Sequence, residues 1–177
     1  MADIKQFLSY YDKYRSTFKE TSFDDKNGVY LCSDKTQRVI NFDKVIADIY
    51  PNSKDYRPKT FDAIFIDENN IYCIEFKKEK KPKKEEIEQK LVDGKKALDR
   101  LLGELNIQKK DYKFIFCLVY NIHKPQYSRY KRGILSYPIK TYLQSYKESG
   151  FIDAIFTEDI DFYKKIFQKK INIQLGC

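Results

Sequence analysis

An α/β fold, a central mixed β-sheet flanked by helices, is what this 177-residue chain predicts. Three observations carry that reading. Residues 61–77 hold two runs rich in Phe, Ile and Tyr, FDAIFIDE and IYCIEFKK, joined across Asn69 and Asn70. Residues 112–120, YKFIFCLVY, form an unbroken apolar run of the kind found in the middle of a sheet. Around both lie segments whose apolar residues recur at three- and four-residue spacing, the mark of amphipathic helices. A hydrophobic content of 42% suits one domain with a sizeable core. We read residues 1–177 as a single domain, with a helical segment at 1–50 packed on a core at 57–120.

In chain order, Ile4, Phe7, Leu8, Tyr11 and Phe18 predict a helix over 3–19. A turn over Asp24–Gly28 leads to a short strand, Val29–Cys32. Val39, Phe42, Val45, Ile46 and Ile49 predict a second helix over 38–50, and Pro51–Pro58 reads as a loop. After the hairpin, Pro82 starts a long helix. Glu85 and Glu86 sit in its first turn, where the helix dipole favours acids. Its buried stripe is Ile87, Leu91, Leu98, Leu101, Leu102 and Leu105, and Gly94 on that stripe allows close packing on the sheet. Beyond the strand at 112–120 come a basic, aromatic loop at 121–137 and a helix from Pro138 to Glu148, closed by Gly150. A strand over Phe151–Phe156, a helix over Glu158–Gln168 and a strand over Ile171–Leu175 complete the chain.

The hairpin carries the chemistry. With Asn69-Asn70 as a two-residue turn, Glu68 pairs with Ile71, Ile64 with Glu75 and Asp62 with Lys77. Paired residues share a face of the sheet, about 5 Å apart at Cβ. Asp62, Glu75 and Lys77 then converge. A three-residue turn would move Asp62 to the opposite face. Phe61, Ala63, Phe65, Ile74 and Phe76 line one face and Ile64, Ile66, Ile71 and Cys73 the other, so the hairpin is covered on both sides. A carboxylate in such a place costs several kcal/mol unless it is paired or holds a metal. The two readings are a metal site and a structural ion pair, and the matching position of Asp62 favours the metal.

At these residues the chain resembles the PD-(D/E)xK nuclease superfamily, which includes restriction endonucleases, Holliday-junction resolvases and viral cap-snatching endonucleases. Asp62 matches the first acid of its motif, Glu75 the second and Lys77 the lysine. The proline that often precedes the first acid is displaced to Pro58. The resemblance covers residues 55–100 and names no subfamily. It implies a restriction-endonuclease-like αβββαβ core, given one further strand from Val29–Cys32 or elsewhere. It also implies metal-dependent phosphodiester hydrolysis leaving a 5′-phosphate. Asp62 and Glu75, with the main-chain carbonyl of Phe76, would hold Mg2+ or Mn2+, since hard oxygen ligands favour these over zinc. Lys77 would orient or deprotonate the attacking water, with metal charge lowering its pKa. Many members add an acid from the preceding helix. Asp48, Asp43 and Glu20 are the candidates, and Asp48, near the helix C-terminus, is preferred. Gln89 resembles a glutamine that some subfamilies place beside the metal.

Lys plus Arg outnumber Asp plus Glu by 34 to 26, a net charge of +8 that suits a polyanionic partner. Lys78, Lys80, Lys81, Lys83 and Lys84 read either as phosphate contacts beside the site or as a solvated helix start. Arg129, Lys131 and Arg132 interleave with Tyr127 and Tyr130, which are candidates for stacking on an exposed base. DNA and RNA both remain open as the nucleic acid, and a homodimer stays compatible although no dimer stripe stands out. No apolar run reaches the ~20 residues of a membrane span. The N-terminus lacks a signal-peptide core, and Asp3 and Asp12 argue against a mitochondrial presequence. Cys32, Cys73, Cys117 and Cys177 form no C-x-x-C pair, and His123 has no cysteine nearby, which argues against zinc. Cys32, Cys73 and Cys117 lie in apolar runs as small core residues. A reducing, cytoplasmic setting is expected, or a host cytoplasm or nucleus for a viral protein. The echo of FDAIF in IDAIF at 152–156 makes Asp153 a decoy for Asp62, because no E-x-K follows it. Two other functions stay open: a catalytically silent nucleic-acid-binding module, and a protein-interaction factor.

Overall fold

A computed structural model describes residues 4–51, 57–77, 83–120 and 141–159. In chain order the elements are α1 (Lys5–Tyr10), β1 (Arg15–Thr17), α2 (Phe18–Thr21), β2 (Phe23–Asp24), β3 (Val29–Tyr30), β4 (Arg38–Asn41), α3 (Phe42–Ile49), β5 (Ala63–Asp67), β6 (Asn70–Lys77), α4 (Lys84–Glu104), β7 (Lys113–Tyr120) and β8 (Ala154–Asp159). Residues 141–148 are helical. The expected loop at 121–137, the residues of the expected helix beyond Asp159 and the strand Ile171–Leu175 lie outside the described residues.

The main sheet runs β1-β4-β5-β6-β7-β8, and β2 and β3 form a separate hairpin. From β1 to β6 neighbouring strands are antiparallel. The crossover through α4 sets β7 parallel to β6, and β8 pairs parallel to β7. This is the expected mixed sheet with flanking helices.

Each face has its own core. On one face α1, α3 and α4 bring Phe7, Ile46, Leu91 and Leu98 onto Ile64, Cys73, Phe114 and Phe116. On the other, Phe18, Cys32 and Val39 pack with Phe65, Ile74, Phe76 and Cys117. Cys73 and Cys117 are buried and form no disulfide. The expected stripe of α4 is buried except for Leu105, which packs half-buried at its edge. A Cβ at Gly94 would lie 2.7 Å from the ring of Phe61, so the absent side chain is what lets α4 approach. Phe61 itself precedes β5 and stacks on Phe42 at 4.9 Å, on the helical side rather than with Ala63 and Phe65.

Two predicted helices are shorter than their periodicity suggests. The segment 3–19 breaks after α1, because the chain crosses the sheet edge as β1 and delivers Phe18 to the opposite core. A capping box, Thr17 with Glu20, then starts α2. The segment 38–50 begins as a strand: Val39 and Ile40 face opposite cores, as alternation requires. Asn41 then caps α3, its side-chain oxygen accepting from the Lys44 N–H at 3.0 Å. Thus Arg38–Asn41 joins the main sheet as a strand, while among the described residues Val29–Tyr30 pairs with β2. The last described strand is displaced to Ala154–Asp159, so residues 158 and 159 are extended rather than helical.

Candidate metal centre

The hairpin turn falls at Glu68-Asn69, one residue earlier than expected, with Glu68 at φ +49°. Asp67 pairs with Asn70 and Ala63 with Ile74. Relative to the expected pairing this is a slide of two residues. An even slide keeps every side chain on its face, so Asp62, Glu75 and Lys77 still share the α4 side. Their order changes: Asp62, just before β5, lies level with Glu75 instead of Lys77. Asp62 is fixed twice. Its carbonyl accepts from the Phe42 N–H at 3.1 Å, and Oδ2 accepts from the Phe76 N–H at 2.6 Å.

Glu75 is fully buried. Lys90 of α4 sets its Nζ 2.7 Å from Glu75 Oε1, 2.8 Å from Oε2 and 3.5 Å from Asp62 Oδ1. Lys77 Nζ lies 3.2 Å from Glu75 Oε1 and also pairs with Glu86. Glu86 and Lys90 are four residues apart and so share one side of α4. Both ammonium groups reach Oε1 by charge alone, for it receives no well-directed hydrogen bond. Burial, reinforced by the charge of Asp62, pushes Glu75 up to about 8 against the pull of Lys90 and Lys77. For Lys90, burial is the strongest single influence and acts downward. Asp62, Glu75 and Asp43 together outweigh it and hold the ammonium above the usual lysine range. Lys77 is raised in the same way, burial being outweighed by Glu75 and Glu86. The carboxylates around Lys77 thus act against the lowering that a bound metal would bring.

The acid that α3 brings to the site is Asp43, not Asp48. Because β4 is antiparallel to β5, the chain leaves β4 beside the start of β5, and α3 begins next to Asp62. Its first turn therefore faces the site and its last turn lies away. Asp43 Oδ1 accepts from Thr60 Oγ1 at 2.9 Å. Asp43 keeps an exposed surface, yet the protein packed around its carboxyl, and then the charge of Asp62, push it up to about 6. Asp48 is exposed, 3.0 Å from Lys13 and hydrogen-bonded by the Tyr14 hydroxyl, in a separate cleft with Arg100 and Glu104. Glu20 shares a cleft of about 340 Å3 with Asp43 and Asp62, but its carboxylate serves Ser16 and Thr17 in the capping box. Ser16, first among these, lowers its pKa.

A larger cleft of about 710 Å3 opens over the cluster, between the β2–β3 hairpin and α4. Asp62, Glu75, Lys77, Glu86 and Lys90 line one side, and Phe23, Lys26 and Asn27 line the other. Gln89 does not join them: it is exposed and its Oε1 accepts from Lys59 Nζ at 3.0 Å. Lys83 is exposed ahead of α4, and Lys84 lies 5.7 Å over the Tyr142 ring. Lys78, Lys80, Lys81, Arg129, Lys131 and Arg132 lie outside the described residues.

Among the described residues no three Asp, Glu, His or Cys side chains form a ready-made ligand cluster. The pair Asp62 and Glu75 nevertheless fits a hard divalent ion in kind. Both are oxygen donors, one is wholly buried, and a cation, the Lys90 ammonium, already lies between them. The residues that the sequence reading missed are Lys90 and Glu86. Their signal was present: Lys90 stands three residues after Ile87 and beside Leu91, so a charge falls at the margin of a buried stripe. No protein-family profile, curated protein or solved structure matches the chain.

Proposed function

We propose that the protein is a metal-dependent nuclease that hydrolyses phosphodiester bonds in DNA or RNA. The observation that carries this reading is the buried carboxylate Glu75 level with Asp62, beside two ammonium groups at the floor of a cleft. Burying charged groups together in this way is costly for stability alone, even when they are paired. The order of elements adds support: three antiparallel strands β4, β5 and β6, a crossover helix α4, then the parallel strand β7. With α3 inserted between β4 and β5, that order is compatible with the core the PD-(D/E)xK resemblance implies.

In this reading Asp62, Glu75 and the Phe76 carbonyl hold Mg2+ or Mn2+, with Asp43 the nearest further acid. Bound there, such an ion polarises the phosphoryl oxygens and favours the ionised form of the attacking water. The protein's own groups do the positioning. Asp62 is locked by the Phe76 N–H, so one carboxylate oxygen keeps a fixed aim. Lys77, paired with Glu75 and Glu86, stabilises negative charge on phosphorus and orients or deprotonates the attacking water. The exposed Lys83 and the basic balance of the chain supply phosphate attraction.

A panel of divalent metals against single-stranded and duplex DNA and RNA, with EDTA as control, tests the proposal. Cleavage with Mg2+ or Mn2+ that is abolished in Glu75→Ala and in Lys77→Ala supports it. Cutting retained in both variants contradicts it. Salt-sensitive binding without cleavage would point instead to a silent module, in which Lys90 permanently closes the carboxylate pair.

A further inference from the structure

The cation between Asp62 and Glu75 is the ammonium of Lys90, and it stands where a divalent ion would have to bind. Resting on the nuclease reading above, we infer that Lys90 is the resident counter-ion of the metal site, and that metal uptake displaces it into the cleft. The geometry allows only one cation at a time between Asp62 and Glu75. Lys90 Nζ lies within 2.8 Å of both Glu75 oxygens and 3.5 Å from Asp62 Oδ1. A divalent ion held at about 2.0–2.1 Å by the same oxygens would overlap it in space and repel it in charge.

Three features suit Lys90 to leave. It stands on a long, flexible stem, and its side chain keeps 18% of its surface exposed, so it reaches the edge of the site. It lines the 710 Å3 cleft and has room to swing outward. Lys77 stays behind, still paired with Glu86, so the site retains one ammonium after the exchange. The displaced ammonium would then face the phosphates of a nucleic acid lying in the cleft. Lys90 is therefore a positioning residue: it keeps the two carboxylates together before the ion arrives. Its departure also couples occupancy of the site to a new positive charge in the cleft.

The exchange makes apparent metal affinity depend on how often Lys90 is out. If the open state holds about one molecule in ten or fewer, removing the ammonium strengthens binding at least about tenfold. The test is Mn2+ binding followed by electron paramagnetic resonance in wild type, Lys90→Met and Lys90→Arg, together with NMR of the wild-type Lys90 Nζ during Mg2+ titration. The inference predicts at least about tenfold tighter Mn2+ binding in Lys90→Met and none of that gain in Lys90→Arg. In the wild-type protein it predicts that the Lys90 Nζ signal shifts and loses protection from exchange as the Phe76 amide reports Mg2+ binding. Unchanged or weaker Mn2+ binding in folded Lys90→Met overturns it. Should that variant fail to fold, an unmoved Lys90 Nζ signal at Mg2+ saturation overturns it equally. Absence of any metal response at Phe76 in wild type, and of Mn2+ binding in every variant, would instead refute the metal reading itself.

Discussion

Asp62 and Asp153 occupy near-identical sequences, FDAIF and IDAIF, and do the same local work with different consequences. Each stands one residue before a strand and accepts a backbone N–H from the neighbouring strand: Asp62 from Phe76 at 2.6 Å, Asp153 from Phe114 at 2.7 Å. This capping tidies an otherwise open end of a ladder. The settings differ because the strand directions differ. β5 is antiparallel to β6, so Asp62 reaches the C-terminal end of the central strands; β8 is parallel to β7, so Asp153 reaches their N-terminal end. At the first end Asp62 meets buried Glu75, Lys90 and the cleft. At the other, Asp153 meets half-exposed Lys109 at 2.5 Å. Burial acts to raise Asp153, but Lys109 and the Phe114 N–H together hold it below the usual aspartate range. The motif FDAIF is thus a strand-capping device, and topology decides whether it acquires chemistry.

That contrast can be broken by mutation. Exchanging one carboxylate for its amide, Asp62→Asn, should cost at least about 100-fold in metal-dependent cleavage, whereas Asp153→Asn should stay within about twofold. Equal losses in the two variants would erase the distinction. Gly94→Ala should lower stability by about 1–3 kcal/mol in thermal or urea unfolding, because the new methyl meets Phe61 beside Asp62. The equivalent packing demand does not arise at Gly103, where the space is open. Asp153→Asn should cost less than about 1 kcal/mol, since its ion pair with Lys109 is substantially solvated.

The two ends of the sheet should also differ in their pH response. Glu75 is raised from 4.5 to about 8, so the folded protein holds a proton that the unfolded chain has lost. Its contribution to stability is therefore greatest below pH 4.5 and is lost as pH rises through about 8. Glu75→Gln should flatten the decline between pH 6 and 8 in denaturant midpoints, while Asp153→Asn should leave it in place. A decline of equal slope in wild type and Glu75→Gln would contradict the role given to burial. Asp153, being depressed, works with the opposite sign: its stability is present above 3.8 and lost as pH falls.

Much of this was legible in the sequence, and the gaps have physical causes. The apolar runs of β5 and β6 and the stripe of α4 announced the sheet and its flanking helix. The convergence of Asp62, Glu75 and Lys77 survived a misplaced turn, since a two-residue slide preserves faces. What failed was local. Val39 and Phe42 mimic helical spacing, while the change from strand to helix rests on one capping bond at Asn41. Choosing Asp48 over Asp43 required knowing the direction of β4 against β5, a tertiary fact. Lys90 was hidden for the same reason: a lysine beside a leucine stripe reads as solvated until the sheet beneath it is known to present a carboxylate.

The central claim is that Asp62 and Glu75 form one cation site which Lys90 fills in the absence of metal. Anomalous scattering from crystals grown with Mn2+ tests it most directly. The account predicts a manganese peak at about 2.0–2.2 Å from oxygens of both Asp62 and Glu75, with Lys90 turned into the cleft and Asp153 without a peak. A saturated crystal showing no peak between Asp62 and Glu75, with Lys90 still between them, would contradict it.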